Sequence, residues 1–218
     1  MIKLLACIFM FIDHVGLLFF PKAIELRLIG RLSMPLFAYC IARGFHHSYT
    51  SGTIALYKKR MFYFALISQI PYMLMLHKIS GNIGVLWLAC LYFLEISEKA
   101  NKEASDYLIM YLLIAALAFV PVDYGLYGLG FTLLLYYFEV CSSNVNRLYV
   151  GYAALHILWL FTSFDYGIMQ LFTLPSLSLI AILKIYDNMV KINRFFFYAF
   201  YPLHISVLLI IKAVCIPL

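Results

Sequence analysis

An aspartate and a histidine stand side by side in the middle of the first apolar run of the chain. The run is LLACIFMFIDHVGLLFF, residues 4–20, and the two residues are Asp13 and His14. Ionisable groups inside hydrocarbon are unfavourable by about 2.5–3.5 kcal/mol each on insertion scales, so each needs a partner or a function. A neutral histidine in a dry site is a suitable general base, and a nearby carboxylate can orient an imidazole or neutralise a cation.

Other polar side chains are expected at the same depth as this pair. A helix rises about 1.5 Å per residue, which places the pair about 15 Å from Lys3. His204 lies at about the same depth measured from Arg194, and Gln69 does so measured from Arg60. These side chains come from three different helices and predict a polar layer near the bilayer midplane, which favours a functional site.

Two arginines flank the predicted polar layer. We expect Arg31 to reach inward to Asp13, whereas Arg43 lies near the other end of the same helix and suits a phosphate. Because adjacent helical residues point about 100° apart, Asp13 cannot simply orient its neighbour His14. We therefore assign His14 to the reacting groups and Asp13 to Arg31 or His204. The alternative is a structural Asp–Arg pair beside a hydrogen-bonded core histidine.

The elements that must position these residues are membrane helices. Hydrophobic residues make up 65% of the 218 and charged residues 12%, and the mean hydropathy is +0.94. Apolar runs of about 16 to 20 residues recur between short polar breaks, close to the length that crosses about 30 Å of hydrocarbon. This predicts an all-α, polytopic membrane helix bundle of about nine transmembrane helices (eight to ten), in a single domain covering residues 1–218. The predicted spans are 3–20, 28–45, 60–76, 82–97, 106–121, 124–140, 147–164, 167–183 and 195–216, with the least distinct breaks at 120–128 and 161–167.

Prolines fall inside two of the predicted spans. Pro35 is expected to free the backbone carbonyl of Arg31, and Pro71 that of Ile67, because proline has no N–H to donate. Such breaks are tolerated in membrane helices where they line a polar cavity.

The distribution of lysine and arginine predicts the orientation. Of the 16 such residues, 11 fall on the side of the N-terminus and 5 on the other side, which places the N-terminus in the cytoplasm and the C-terminus outside. We therefore expect a multi-pass protein of the inner (cytoplasmic) membrane. The net charge of +6 follows mostly from this topology, so nucleic-acid binding is not expected. The basic run at 42–60 suits lipid headgroups or a phosphate ligand.

Signatures of several common enzyme classes are missing from the sequence. His46 and His47 are adjacent, unlike helical metal ligands, and there is no HExxH motif, so no metal is expected. The five cysteines are far apart and contain no CxxC pair. No Walker, GxSxG or kinase motif occurs.

Several segments of the chain together resemble the TraX family, whose namesake is the F-pilin acetylase. They are LLACIFMFIDHVG, LIGRLSMPLFAYCIARGF (28–45), YKKRMFYFALISQIPYML (57–74), GNIGV (81–85) and FYAFYPLHI (197–205). The resemblance is densest over residues 1–85 and in the last helix. The residues that match the family pattern are Asp13, His14, Gly30, Arg31, Pro35, Arg43, Gly44, Arg60, Gln69, Pro71, Asn82, Tyr201, Pro202 and His204.

The resemblance implies a membrane acyltransferase that moves an acetyl group from acetyl-CoA to a peptide N-terminal amine or to another amine or hydroxyl acceptor. His14 is then the first choice for the general base and His204 the second. Donors to the oxyanion of the tetrahedral intermediate are expected among Arg31, Gln69 and Asn82, with Tyr201 at the substrate. The cationic residues expected to hold the phosphates of CoA are Arg43, Lys58, Lys59 and Arg60. Direct transfer and a route through acetyl-histidine both remain open.

Another class of membrane protein would use the same polar residues differently. In a small proton-coupled transporter or channel, Asp13, His14 and His204 would relay protons. Transporters often contain paired repeats with broken helices in corresponding places, and the proline-bearing helices have no obvious counterpart in the second half of this chain. A purely structural membrane subunit would not need a polar cluster at the midplane.

Overall fold

The structure is a computed structural model that describes residues 1–142, 144–162, 169–186 and 194–215. These residues form helices, and the β contact among them is an isolated bridge between Gly81 and Val122. The all-α prediction is therefore confirmed. A π-helical turn, Tyr136–Cys141, follows the seventh helix. The helices in chain order are α1 (Ile2–Phe19), α2 (Ile24–Gly30), α3 (Ser33–Thr50), α4 (Ile54–Leu76), α5 (Ile83–Glu98), α6 (Ala104–Phe119), α7 (Gly125–Leu135), α8 (Val145–Thr162), α9 (Pro175–Tyr186) and α10 (Arg194–Cys215).

Two of the described helices are long and apolar enough to cross a membrane. They are Ile2–Phe19 and Phe195–Cys215. Shorter apolar helices cover Ala104–Phe119, Gly125–Cys141 and Met169–Ile185. These helices favour a membrane protein in general terms, whereas the finer prediction of about nine transmembrane helices is not confirmed and stays a prediction.

The predicted helix at 28–45 is wrong in one respect, because the chain breaks between α2 and α3 at Arg31 and Leu32. Pro35 is the third residue of α3, where backbone N–H groups have no acceptor within the helix, so its missing N–H is tolerated. Since α3 does not extend back to Arg31, Pro35 does not free that carbonyl, contrary to the prediction. Pro71, in contrast, does lie inside α4.

The two least distinct breaks of the sequence can be compared with the structure in part. The turn predicted at 120–128 is confirmed, since the chain leaves α6 and enters α7 through Tyr124, whose φ is 61°. The break predicted at 161–167 falls largely outside the described residues.

The chain divides into two compact units, with boundaries inside α3 and α8, and the predicted single domain stays a prediction. In the unit formed by Met1–Cys40 and Ala153–Leu218, α1 packs against both α2 and α10. A Cβ on Gly16 would lie 2.8 Å from the Cβ of Leu26, so only glycine permits this approach of α1 to α2. The buried Oγ of Ser33 donates to the carbonyl of Ala6 (2.9 Å), which fixes the start of α3 against α1.

In the second unit, Ile41–Tyr152, α4 and α5 form a tight antiparallel hairpin. A Cβ on Gly84 would lie 2.8 Å from the Cα of Ala65, so the backbones of the two helices nearly touch. Lys99, which lies before α6, donates through Nζ to the carboxylate of Asp106 in the first turn of α6 (2.6 Å). This hydrogen bond raises the pKa of Lys99.

Candidate active site

The structure joins the two histidines that the sequence placed at a similar depth, although 190 residues separate them in the chain. His14 Nδ1, on α1, and His204 Nε2, on α10, lie 2.7 Å apart, which is a hydrogen-bond distance. Each residue is only 7% exposed. Both belong to the first unit, and their contact depends on the packing of α10 against α1.

The two imidazole rings meet edge to edge. Their planes are inclined by 6° and their centroids lie 4.9 Å apart. Rings stacked face to face would have to keep their atoms about 3.5–4.0 Å apart, whereas the bonded nitrogens of His14 and His204 are 2.7 Å apart. The rings must therefore lie in nearly one plane, which is the geometry in which the N–H of one ring points at the lone pair of the other.

Aromatic side chains surround this pair. Tyr201 is buried and presents its ring at 6.0 Å to His14 and 5.8 Å to His204, in both cases edge to face. The ring of Phe200 lies 4.5 Å from His204 and nearly parallel to it, and Phe11 lies 6.3 Å away. The histidines therefore have an apolar surrounding, in which the neutral form of imidazole is favoured.

Asp13 forms its ion pair with Arg27, a residue that the sequence analysis did not select. Arg27 Nη1 lies 2.7 Å from Asp13 Oδ2, and both side chains are mostly buried. The predicted contact of Asp13 with His204 is wrong, because the two ring nitrogens of His204 bond to His14 and to the carbonyl of Phe200. Arg31, the other predicted partner, is buried at 8% exposure and close enough to act on Asp13 electrostatically.

Gly30 explains how Asp13 fits between α1 and α2. A Cβ on Gly30 would lie 2.3 Å from the Cβ of Asp13 and 2.6 Å from its Oδ1, so no larger residue fits there. Asp13 lies before the turn between α1 and α2, and Gly30 lies about the same number of residues after that turn. In an antiparallel hairpin, positions at equal distances from the turn lie opposite one another, so Gly30 lies opposite Asp13. Arg27 lies one helical turn nearer the loop, and its long side chain can reach Asp13. This spacing is the signal that could have identified Arg27.

Gln69 and Asn82 belong to the second unit, where their amide groups hold α4, α5 and the loop between them together. Gln69 Nε2 donates to the carbonyl of Ser80 (2.6 Å), and Asn82 Nδ2 donates to Gln69 Oε1 (2.9 Å) and to the carbonyl of Ala65 (2.7 Å). Asn82 Oδ1 caps α5 by accepting from the N–H of Gly84 (2.7 Å). These bonds indicate a structural role, and the role at an oxyanion stays a prediction.

The cationic residues predicted to hold phosphates differ in their surroundings. Arg43 on α3 and Lys59 on α4 are exposed. Lys58 forms an ion pair with Glu95, which balances its charge. The guanidinium of Arg60 lies 5.9 Å from the ring centroid of Tyr57. Among the described residues, no group of three or more His, Cys, Asp and Glu side chains is arranged to hold a metal ion.

Comparison with known proteins shows the family of the chain and a curated relative. A family model described as TraX protein matches residues 1–212, a range that includes both histidines. The probable fimbrial assembly protein FimC, serogroup H1, of Dichelobacter nodosus is 29% identical over 233 residues, covering 95% of this chain and 92% of that protein. No solved structure matches the chain.

Proposed function

The chain belongs to the TraX family, and from this premise we propose that it is an integral membrane acyltransferase. It would move an acetyl or other short acyl group from cytoplasmic acetyl-CoA to an amine or hydroxyl acceptor. The observation that carries the proposal is the buried, hydrogen-bonded contact of His14 with His204. Acyl transfer from a thioester needs a base, and a neutral imidazole held in an apolar site is suited to that work.

In the proposed reaction, His14 is the general base. The acceptor nitrogen attacks the thioester carbonyl carbon while His14 takes a proton from that nitrogen, and the carbonyl π electrons move to the oxygen. When the tetrahedral intermediate collapses, the C–S bond breaks and the thiolate of CoA leaves with the electron pair. The thiolate then takes the proton from His14, so the enzyme ends as it began.

The developing oxyanion needs a preorganised donor. Arg31 is our first choice, because it is buried in the same unit as the histidines and carries a fixed positive charge. Asp13 and Arg27 form a separate ion pair on the neighbouring helix face, and we give that pair a structural role. Tyr201 contacts both histidines with its ring and would form part of the wall that excludes water.

The phosphates of CoA would bind at the basic surface of α3 and α4. Arg43 and Lys59 are exposed there, and Arg60 lies close by on α4. Lys58 is the weakest of the four candidates, because Glu95 already neutralises it. The excess of lysine and arginine on the side of the N-terminus supports a cytoplasmic position for this surface in the inner membrane.

The proposed acceptor is the N-terminal amine of a pilin-like peptide. The name of the relative from Dichelobacter nodosus refers to fimbrial assembly, and the resemblance to the TraX family implies a pilin acetylase as its namesake. A primary amine is also a better nucleophile toward a thioester than a hydroxyl, so it places a smaller demand on the base.

Detergent-purified protein incubated with radiolabelled acetyl-CoA and a peptide with a free N-terminus tests the proposal. We expect release of CoA and label on the peptide, and no label on the same peptide with its N-terminus blocked. If acetyl-CoA shows no saturable binding and no label moves to peptide, hydroxyl acceptor or protein, the acyltransferase proposal is wrong. A proton-coupled transporter would then become the better interpretation.

The two arginines should affect different steps. Arg43→Ala is expected to raise the KM for acetyl-CoA with little change in kcat, because Arg43 would bind the carrier and not the reacting carbonyl. Arg31→Ala should lower kcat by about 100-fold or more, as expected for loss of an oxyanion donor. Equal changes of KM and kcat in both variants would contradict this division.

A further inference from the structure

The hydrogen bonds of His204 determine which nitrogen of His14 can act as a base. We infer that His204 is a positioning residue that holds His14 in its Nδ1–H tautomer, so that His14 Nε2 is the atom that accepts the proton from the acyl acceptor. The role of His14 Nε2 rests on the proposed acyl transfer, whereas the tautomer itself does not.

The carbonyl of Phe200 determines which nitrogen of His204 carries the proton. His204 Nδ1 lies 2.7 Å from that oxygen, one turn earlier in α10. A carbonyl oxygen only accepts hydrogen bonds, so His204 Nδ1 must carry the proton and donate. In a neutral imidazole the other nitrogen is then an acceptor, and His204 Nε2 therefore presents its lone pair to His14.

The position of the proton on His14 follows from that of the proton on His204. The distance of 2.7 Å between His204 Nε2 and His14 Nδ1 requires one donor and one acceptor. Since His204 Nε2 is the acceptor, His14 Nδ1 is the donor, and the near-coplanar rings point the N–H directly at the lone pair. Both nitrogens of His204 and one of His14 are now assigned, which leaves the lone pair of His14 Nε2 for an external proton.

This arrangement also provides a place for the proton during the reaction. When His14 Nε2 takes the proton of the attacking amine, His14 becomes an imidazolium whose Nδ1–H still donates to His204 Nε2. That proton can move along the hydrogen bond, so the positive charge is shared by the two rings and returns to His14 when the thiolate of CoA takes its proton. No proton is gained or lost over the cycle. Arg27, whose charge acts on His14, is itself paired with Asp13, which balances that charge.

Nitrogen NMR of the wild-type protein tests the tautomers without any substitution in the pair. Protein labelled with ¹⁵N at histidine in detergent micelles should show both His14 and His204 protonated at Nδ1 and unprotonated at Nε2 near neutral pH. A histidine side chain in water favours the Nε2–H tautomer, so the result is diagnostic. A proton on His14 Nε2 in the neutral wild-type pair would overturn the inference.

Two substitutions at position 204 separate orientation from simple packing. In His204→Gln the side-chain oxygen can lie near the position of Nε2 and accept from His14 Nδ1, so the tautomer should be retained. In His204→Asn the side chain can still donate to the Phe200 carbonyl but does not reach His14, so His14 should lose the Nδ1–H form. Retention of the Nδ1–H form of His14 in the folded His204→Asn variant would contradict the positioning role.

Kinetics of the same variants connect the tautomer to the reaction. His204→Asn should lower kcat about 100-fold, the loss expected when a catalytic group is misplaced by about 1 Å, and His204→Gln should lose less. Equal kcat in His204→Asn and wild type would overturn the positioning role. If the tautomers are as inferred but no acyl transfer occurs in wild type, the proposed function fails and the histidine arrangement stands.

Discussion

At the scale of residues, the adjacent side chains of Asp13 and His14 have different partners. His14 bonds to His204, and Asp13 bonds to Arg27. The helical angle between neighbours predicted this separation. The angle alone could not predict the identity of the cation, which follows from the spacing of Asp13 and Arg27 on either side of the turn between α1 and α2.

The ion pair of Asp13 and Arg27 should stabilise the hairpin of α1 and α2. Asp13→Asn leaves a mostly buried guanidinium without its carboxylate and should lower the free energy of unfolding by about 1–3 kcal/mol. Thermal unfolding in detergent measures this loss. The matched control is Glu25→Gln on the exposed start of α2, where we expect a change within about 0.5 kcal/mol.

A double-mutant cycle separates the pair from its surroundings. Arg27→Met alone should also destabilise the protein, and Asp13→Asn combined with Arg27→Met should lose less than the sum of the two single variants. The expected coupling is about 0.5–3 kcal/mol. Strictly additive losses would show that the two side chains do not stabilise one another.

At the scale of elements, glycines and an asparagine set how closely the helices approach. Gly30 admits Asp13 between α1 and α2, and Gly84 brings α5 against α4. Asn82 ends the loop before α5 and caps that helix. From the sequence we could predict an all-helical chain and the turn before α7, because these follow from hydropathy and from the Pro, Gly and Asp residues near the turn. The side-chain bonds of Gln69 and Asn82 depend on tertiary contacts and could not be predicted.

Gly30→Ala should separate α1 from α2. The added Cβ would lie 2.3 Å from the Cβ of Asp13, so a helix must shift, and we expect a loss of about 1–3 kcal/mol in thermal unfolding. The control is Gly52→Asn in the loop before α4. Gly52 has a φ of 68°, which asparagine tolerates, and open space around it, so this variant should stay within about 0.5 kcal/mol of wild type. Equal stability of Gly30→Ala and wild type would contradict the observed packing.

Asn82→Ala should lower the thermal stability of the protein more than it lowers kcat for acyl transfer. It removes the acceptor of the buried N–H group of Gly84 at the start of α5, and an unsatisfied group of this kind is unfavourable by about 1–3 kcal/mol. Asn144→Ala, at the exposed start of α8, is the control and should lose only about 0.5 kcal/mol. Unchanged thermal stability of Asn82→Ala with a large fall in kcat would instead favour the oxyanion role expected from the sequence.

At the scale of the whole molecule, composition and charge predict a membrane protein with a defined orientation. The long apolar helices Ile2–Phe19 and Phe195–Cys215 are consistent with a membrane protein, and the orientation stays a prediction. The number of membrane crossings could not be predicted securely, since α3, α4 and α5 carry polar and charged residues along apolar stretches. The sequence also could not predict that Lys58 is neutralised, because Glu95 is distant in the chain.

Reporter fusions test the predicted orientation. Because 11 of the 16 lysines and arginines fall on the side of the N-terminus, a C-terminal alkaline phosphatase should be active and a C-terminal green fluorescent protein dark. Fusions to the connection after Thr50 serve as the matched control and should behave in the opposite way. A bright C-terminal fluorescent protein would place that end in the cytoplasm and contradict the proposed orientation.

The central claim is that His14 is the base for acyl transfer from CoA, and single-turnover transfer from acetyl-CoA to an N-terminal peptide amine tests it most directly. His14→Gln should lower the rate at least about 100-fold, while His77→Asn, an exposed histidine whose φ of 52° asparagine tolerates, should leave it unchanged. A folded His14→Gln protein that transfers the acetyl group at the wild-type rate would contradict the claim.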